Sequence, residues 1–126
     1  MPLTRISLRQ GKPAFYKSAV MTQIYEAMRE TFDVPEDDRF MMVSEHDEES
    51  FAYGRGYLGI ERSDDLIMIQ ITANNTRTTE KKKALYQRIV ERLASSPGVR
   101  PENVLISLVE VSKENWSFGN GEAQYA

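Results

Sequence analysis

The chain has 126 residues, with 16 Lys and Arg against 19 Asp and Glu, a net charge of -3 and no cysteine. That length supplies one real hydrophobic core but not two. The mild acidity offers nothing to attract nucleic acid or a membrane surface, and the missing cysteine excludes disulfide frameworks, thiolate metal sites and cysteine nucleophiles.

The opening Met1-Pro2-Leu3-Thr4-Arg5 has no apolar run behind a basic start, so it does not read as a signal peptide. No stretch approaches the roughly 18 apolar residues of a membrane span. A cytoplasmic protein is expected, in which the sequons at Asn74 and Asn115 carry no meaning. Leu3 to Leu8 alternates apolar with polar and predicts a strand, ended by Gly11-Lys12-Pro13. From Lys17 to Phe32 the residues Val20, Ile24, Ala27, Met28 and Thr31 recur at helical spacing. Val34 to Asp38 predicts a turn and Phe40 to Ser44 a second strand. Glu45 to Asp65, acidic and then Gly-rich, predicts a loop with a short hairpin in it.

The same order then returns. Leu66 to Thr72 predicts a strand, Asn74 to Arg77 a loop, Thr79 to Ala94 a helix with Leu85, Ile89, Val90 and Leu93 on one face, Ser95 to Asn103 a turn region and Val104 to Val111 a strand. Pro35-Glu36-Asp37 matches Pro101-Glu102-Asn103 at a shift of 101 − 35 = 66, and the helices match at 85 − 20 = 65. The sequence is a duplicated β-α-β unit with halves of about 1–60 and 61–126 in a single domain, an α/β (α+β) fold. Right-handed crossovers put both helices on one face of the sheet. The other face then needs cover, which predicts an oligomer.

Several patterns carry less than they suggest. Gly54, Gly56 and Gly59 match a dinucleotide fingerprint, but no apolar strand leads into them and no helix opens after them. His46 is the only histidine, placed in an acidic loop without metal-ligand spacing. Lys81, Lys82 and Lys83 read as the solvated start of a helix, and Tyr16, Tyr25 and Tyr86 as packing residues. No metal or cofactor is expected.

Four features point to chemistry. With Met1 removed, Pro2 presents a secondary amine that titrates far nearer neutrality than a lysine, suited to acid–base or iminium chemistry. At the 66-residue shift Asp38 and Arg39 stand where the second half has Val104 and Leu105, which marks either a site or an exposed edge. Arg77 sits just before the second helix, with Thr78 or Thr79 as N-cap; an arginine beside a helix N-terminus forms a corner for a carboxylate. Trp116 and Phe118 stand two apart in a Gly-containing tail, as a pocket wall, a clamp on the core or a subunit contact.

Pro2 at the head of a strand, the duplicated unit, Pro35-Glu36-Asp37-Asp38-Arg39-Phe40, Arg62-Ser63-Asp64-Asp65, Arg77-Thr78-Thr79-Glu80-Lys81-Lys82 and Asn115-Trp116-Ser117-Phe118-Gly119 together resemble the tautomerase superfamily. The similarity covers nearly the whole chain and is strongest to the malonate semialdehyde decarboxylase-like branch, related to 4-oxalocrotonate tautomerase. The resemblance implies a homotrimer with four strands per subunit in a central barrel, helices outside, and the proline at the floor of a pocket near a subunit boundary. It implies that Asp38 cooperates with Pro2 in catalysis, that Arg77 holds a substrate carboxylate, and that Trp116, Phe118 and Tyr125 form an aromatic wall. A second arginine of the family pattern is missing: Asn74-Asn75-Thr76 stands in its place with one residue inserted, making Asn74 a candidate substrate contact. That gap leaves malonate semialdehyde specificity open, although one guanidinium can still grip a carboxylate with two bonds.

The reading is therefore a keto–enol tautomerase acting on a small carboxylate. A decarboxylase or hydratase is the alternative within the enzymes. A trimer that only binds a ligand or protein is the alternative outside them, favoured if Met1 is retained.

Overall fold

The computed structural model describes residues 2–126. Strand β1 (Leu3–Arg9) leads through Gly11 to helix α1 (Ala14–Phe32) and strand β2 (Phe40–His46); β3 (Ile67–Asn74), α2 (Thr79–Ser95) and β4 (Val104–Val111) repeat the order. The sheet runs β2-β1-β3-β4. Each β-α-β unit pairs its own strands in parallel, and β1 meets β3 antiparallel at the centre.

Both helices cover the same sheet face. Thr4, Ile6 and Leu8 of β1 and Ile67, Ile69, Ile71 and Ala73 of β3 point into the core beneath them. Val20, Ile24 and Met28 of α1 and Leu85, Ile89 and Leu93 of α2 close it from above, each 1% exposed or less. Each such apolar side chain gains about 1.5–3 kcal/mol from leaving water. The helices are clasped at their surface by Glu30, which accepts from Arg88 Nε at 2.5 Å and Arg92 Nε at 2.8 Å. The opposite sheet face is open. Phe40, Met42 and Leu105 lie on it with 41–50% of their surface exposed, among Arg5, Ser7, Gln70 and Ser107. Among the described residues no helix is long and apolar enough to cross a membrane.

The element order follows the sequence reading, with differences at the margins. Helix α1 starts at Ala14 rather than Lys17, since its first turn is exposed (Phe15 71%) and leaves no apolar periodicity. It ends where Asp33 turns left-handed (φ 55°) and returns its N–H to Met28 O. Thr78 is the N-cap of α2, its hydroxyl accepting from Lys81 N at 3.2 Å. Strand β2 runs on to His46, so the histidine is not in a loop: it is half-buried, with its ring 5.8 Å from that of Phe51. No hairpin forms between β2 and β3. Short 3-10 turns at Glu48–Ser50 and Tyr57–Gly59 take its place, and Arg62 Nη1 gathers the carbonyls of Gly54, Tyr57 and Ile60 at 3.0–3.3 Å. The three glycines of the fingerprint lie in this coil and open no helix.

The repeat needs a correction of one residue. At a shift of 65 the strand faces coincide: Thr4, Ile6 and Leu8 fall on buried Ile69, Ile71 and Ala73, and exposed Phe40 and Met42 on exposed Leu105 and Ser107. At 66 every one of these pairs would lie on opposite faces, because side chains alternate with period two. The proline turns match at 66 only because the two turns seat their prolines one residue apart. Asp38 therefore corresponds to Asn103, not Val104.

Candidate active site

The register gathers the candidate residues at one end of the sheet. Leu3, at the start of β1, lies opposite Phe40 at the start of β2 and Thr72 near the end of β3; Thr72 in turn lies opposite Val109 near the end of β4. Pro2 is buried just ahead of β1. Extending the parallel pairing one step back from Leu3 and Phe40 sets Pro2 level with Arg39, next to Asp38. Asn74 closes β3, Arg77 precedes α2, and the chain after β4 folds back through the turn Lys113–Asn115 to Trp116. Removal of Met1 concerns a residue outside those described.

Pro2 lines an apolar cavity of about 200 Å³ with Leu3, Phe40, Trp116, Ser117 and Phe118. Trp116 and Phe118 stack at 5.3 Å between ring centres, and Tyr125 meets Phe118 edge-on at 4.9 Å. The tail keeps this shape because Gln124 bonds both sides of its turn: it accepts from Phe118 N at 3.0 Å and donates to Gly119 O at 3.1 Å.

A second hollow of about 460 Å³ adjoins it, lined by Phe32, Asp33, Asn74, Thr76, Arg77, Lys81, Lys113 and Tyr125. Arg77 Nη2 donates to Phe32 O at 2.9 Å, and the guanidinium lies 4.7 Å from the centre of the Phe32 ring. The arginine is thus held against the C-terminal end of α1. The linings of the two cavities are joined by a hydrogen bond: Trp116 Nε1 donates to Asn74 Oδ1 at 2.8 Å, with Asn74 only 7% exposed.

Asp38 lines neither cavity. It is 8% exposed and ends a turn in which its N–H reaches Pro35 O at 3.2 Å, while Asp37 takes a left-handed conformation (φ 69°). Burial pushes its carboxyl above the ordinary 3.8, and positive charge nearby, that of Arg77 included, pulls the other way. Two residues ahead of Phe40, which pairs with Leu3, Asp38 lies at the same end of the sheet as Pro2.

Apart from Asp38, the predicted residues are divided between two chambers: Pro2, Trp116 and Phe118 line one, and Asn74, Arg77 and Tyr125 the other. Sequence reading missed Leu3, Phe40 and Ser117 in the first, and Phe32, Asp33, Thr76 and Lys113 in the second. It also assigned Lys81 to solvent. Phe40 carried a signal, a large apolar residue on the outward side of β2. Lys113 carried none, since nothing in its spacing ties it to Arg77 36 positions earlier. Tyr25 does pack in the core, as expected.

Comparison with known proteins identifies the family of the chain. The family model described as "Tautomerase enzyme" (Tautomerase_2) matches residues 38–119, and the chain belongs to that family. It is similar to Probable tautomerase YusQ of Bacillus subtilis (strain 168), with 44% identity over 124 residues and 98% of each chain covered. Among solved structures it is similar to malonate semialdehyde decarboxylase, a protein described with decarboxylase and hydratase activities. That match has a TM-score of 0.92 and 28% identity, over 98% of this chain and 95% of the other. A fused 4-OT, solved as a symmetric trimer, shares the fold at a TM-score of 0.80 and 19% identity, over 98% and 97% of the two chains.

Proposed function

We propose that this tautomerase-family protein interconverts keto and enol forms of a small carboxylate, using the Pro2 amine exposed when Met1 is removed. The observation that carries the proposal is the burial of Pro2 in an apolar cavity that shares a wall with a hollow containing Arg77. An amine in such surroundings loses hydration, which favours its neutral form, while a carboxylate such as Asp38 nearby favours the protonated one. The balance between the two decides whether Pro2 acts as a base or as an acid. Arg77 anchors the substrate carboxylate, Pro2 carries a proton between the enol oxygen and the adjacent carbon, and Trp116 and Phe118 hold the reacting carbons away from water. Asp38 governs the protonation of Pro2.

A decarboxylase or hydratase is the second reading, favoured by buried Asp38. A carboxylate in that position orients or activates water while a protonated Pro2 polarises the substrate. The open sheet face with Phe40, Met42 and Leu105 is covered, in this proposal, by further copies of the chain in a homotrimer, the assembly described for the fused 4-OT.

The test compares wild type, Pro2→Ala, Arg77→Ala and Asp38→Asn on phenylenolpyruvate and malonate semialdehyde, with the mature N-terminus read by mass spectrometry. Ketonisation that falls at least about 100-fold in Pro2→Ala supports the mechanism, a loss typical of removing a positioned acid–base group. An unchanged rate in Pro2→Ala, or a retained Met1, overturns it. Loss of malonate semialdehyde turnover in Asp38→Asn with ketonisation intact selects the second reading.

A further inference from the structure

We infer that Lys113 forms a second anion position beside Arg77, and that the substrate is a dicarboxylate; this rests on the tautomerase reading and narrows its substrate class. The hollow next to the Pro2 cavity is lined by three cations, Arg77, Lys81 and Lys113, and by one carboxylate, Asp33. Its lining charge is therefore 3 − 1 = +2, the complement of a dianion.

The three cations are not equivalent. Lys81 Nζ is paired with Asp33 at 3.1 Å, and Arg77 is braced on the Phe32 carbonyl. Lys113 has no side-chain hydrogen bond or ion pair among the described residues. The nearest candidate on β4, Glu110, is taken by Lys82 at 2.7 Å. Nor is Lys113 on an unanchored stretch. It opens the turn Lys113–Asn115, closed by Asn115 N on Ser112 O at 3.0 Å, and Trp116 directly after that turn is bonded to Asn74. One short segment thus sends an aromatic wall into the Pro2 cavity and a cation into the neighbouring hollow.

The two groups suit different tasks. The Arg77 fork matches a carboxylate in two-point contact, whereas an ammonium is a point charge that accepts an anion from many directions. A substrate with its reacting carbon at Pro2 and one carboxylate at Arg77 presents a second carboxylate to Lys113. A monocarboxylate leaves that ammonium unused.

Fumarate and crotonate test this, since they share a four-carbon trans-alkene and differ in the second carboxylate. Titration calorimetry on the full chain should show fumarate binding about tenfold tighter, which corresponds to about 1.4 kcal/mol. Lys113→Met should erase the difference by weakening fumarate alone, and Lys113→Arg should retain it. Equal affinities in wild type, no binding of fumarate, or equal weakening of both ligands in Lys113→Met overturns the assignment. Calorimetry reads binding without turnover, so these results are independent of the rate loss in Pro2→Ala that tests the tautomerase reading.

Discussion

Asp38 and Asn103 occupy equivalent places in the two halves of the chain. Each is buried, each ends a turn by donating its N–H to the carbonyl three residues back, and each precedes by two residues an exposed apolar side chain, Phe40 or Leu105. Their side chains have diverged. Asn103 is structural: its Oδ1 accepts from Ser63 N and its Nδ2 donates to Ser63 Oγ, both at 2.9 Å, pinning the segment that leads into β3. Asp38 instead carries a carboxyl that burial pushes up and the charge of Arg77, among others, pulls down.

The two positions should therefore fail differently. Asn103→Ala strands a part-buried Ser63 N–H and should cost about 1–3 kcal/mol of stability, read by urea denaturation, with kcat/KM per folded molecule unchanged. Asp38→Asn should keep the fold and lower kcat/KM, by 10-fold or more if the carboxylate sets the protonation of Pro2, on the scale of one acid–base partner.

The pH dependence of stability has a definite sign at Asp38. Its carboxyl is raised above 3.8 by burial, so the folded state holds that proton more tightly than the unfolded chain. The resulting contribution to stability is complete below 3.8 and is lost as pH rises through the folded value. Asp38→Asn abolishes it, so the stability of the variant relative to wild type should grow as pH rises from 3.8. Removing the opposing charge in Arg77→Met should lift the carboxyl further, seen as a higher midpoint for Asp38 in a carbon-detected NMR titration. A midpoint that falls would contradict the described arrangement.

Glu30 should show the reverse sign. Hydrogen bonds from Arg88 and then Arg92 hold its carboxyl below the ordinary 4.5. Its contribution is present above 4.5 and is lost as pH falls through the folded value. The pair is partly solvated, with the Glu30 side chain 35% exposed, so Glu30→Gln should cost no more than about 1 kcal/mol at neutral pH, and less in high salt.

The hydrogen bond joining the cavity linings makes a fourth expectation. Trp116→Phe removes the indole N–H and leaves the buried Asn74 amide short of a donor, at about 1–3 kcal/mol. The double variant Trp116→Phe with Asn74→Leu removes both polar partners and should recover part of that loss. A double-mutant cycle on thermal unfolding measures the coupling.

Much of the fold was legible because it is written in periodicity. Val20, Ile24 and Met28, and then Leu85, Ile89 and Leu93, announce two helices with one buried face each, and the apolar runs of β3 and β4 announce strands. The 66-residue match of the proline turns misled by one residue, since turn chemistry and strand phase are separate signals and only the second reports which way a side chain faces. The candidate site was partly legible. Pro2, Asp38 and Arg77 stood out by residue type and family resemblance. The division into two chambers did not, because it depends on Trp116 reaching Asn74 across 42 positions, and Lys113 had no local pattern at all.

Strand β1 lies between β2 and β3, with Pro2 buried at its head. An affinity tag fused ahead of Pro2 would acylate its nitrogen, at the cavity that Pro2 lines with Phe40, Trp116 and Phe118. A tag placed after exposed Ala126 leaves that nitrogen free to be released with Met1, so the choice of expression vector decides whether an assay on this protein reports on its chemistry or on a blocked amine.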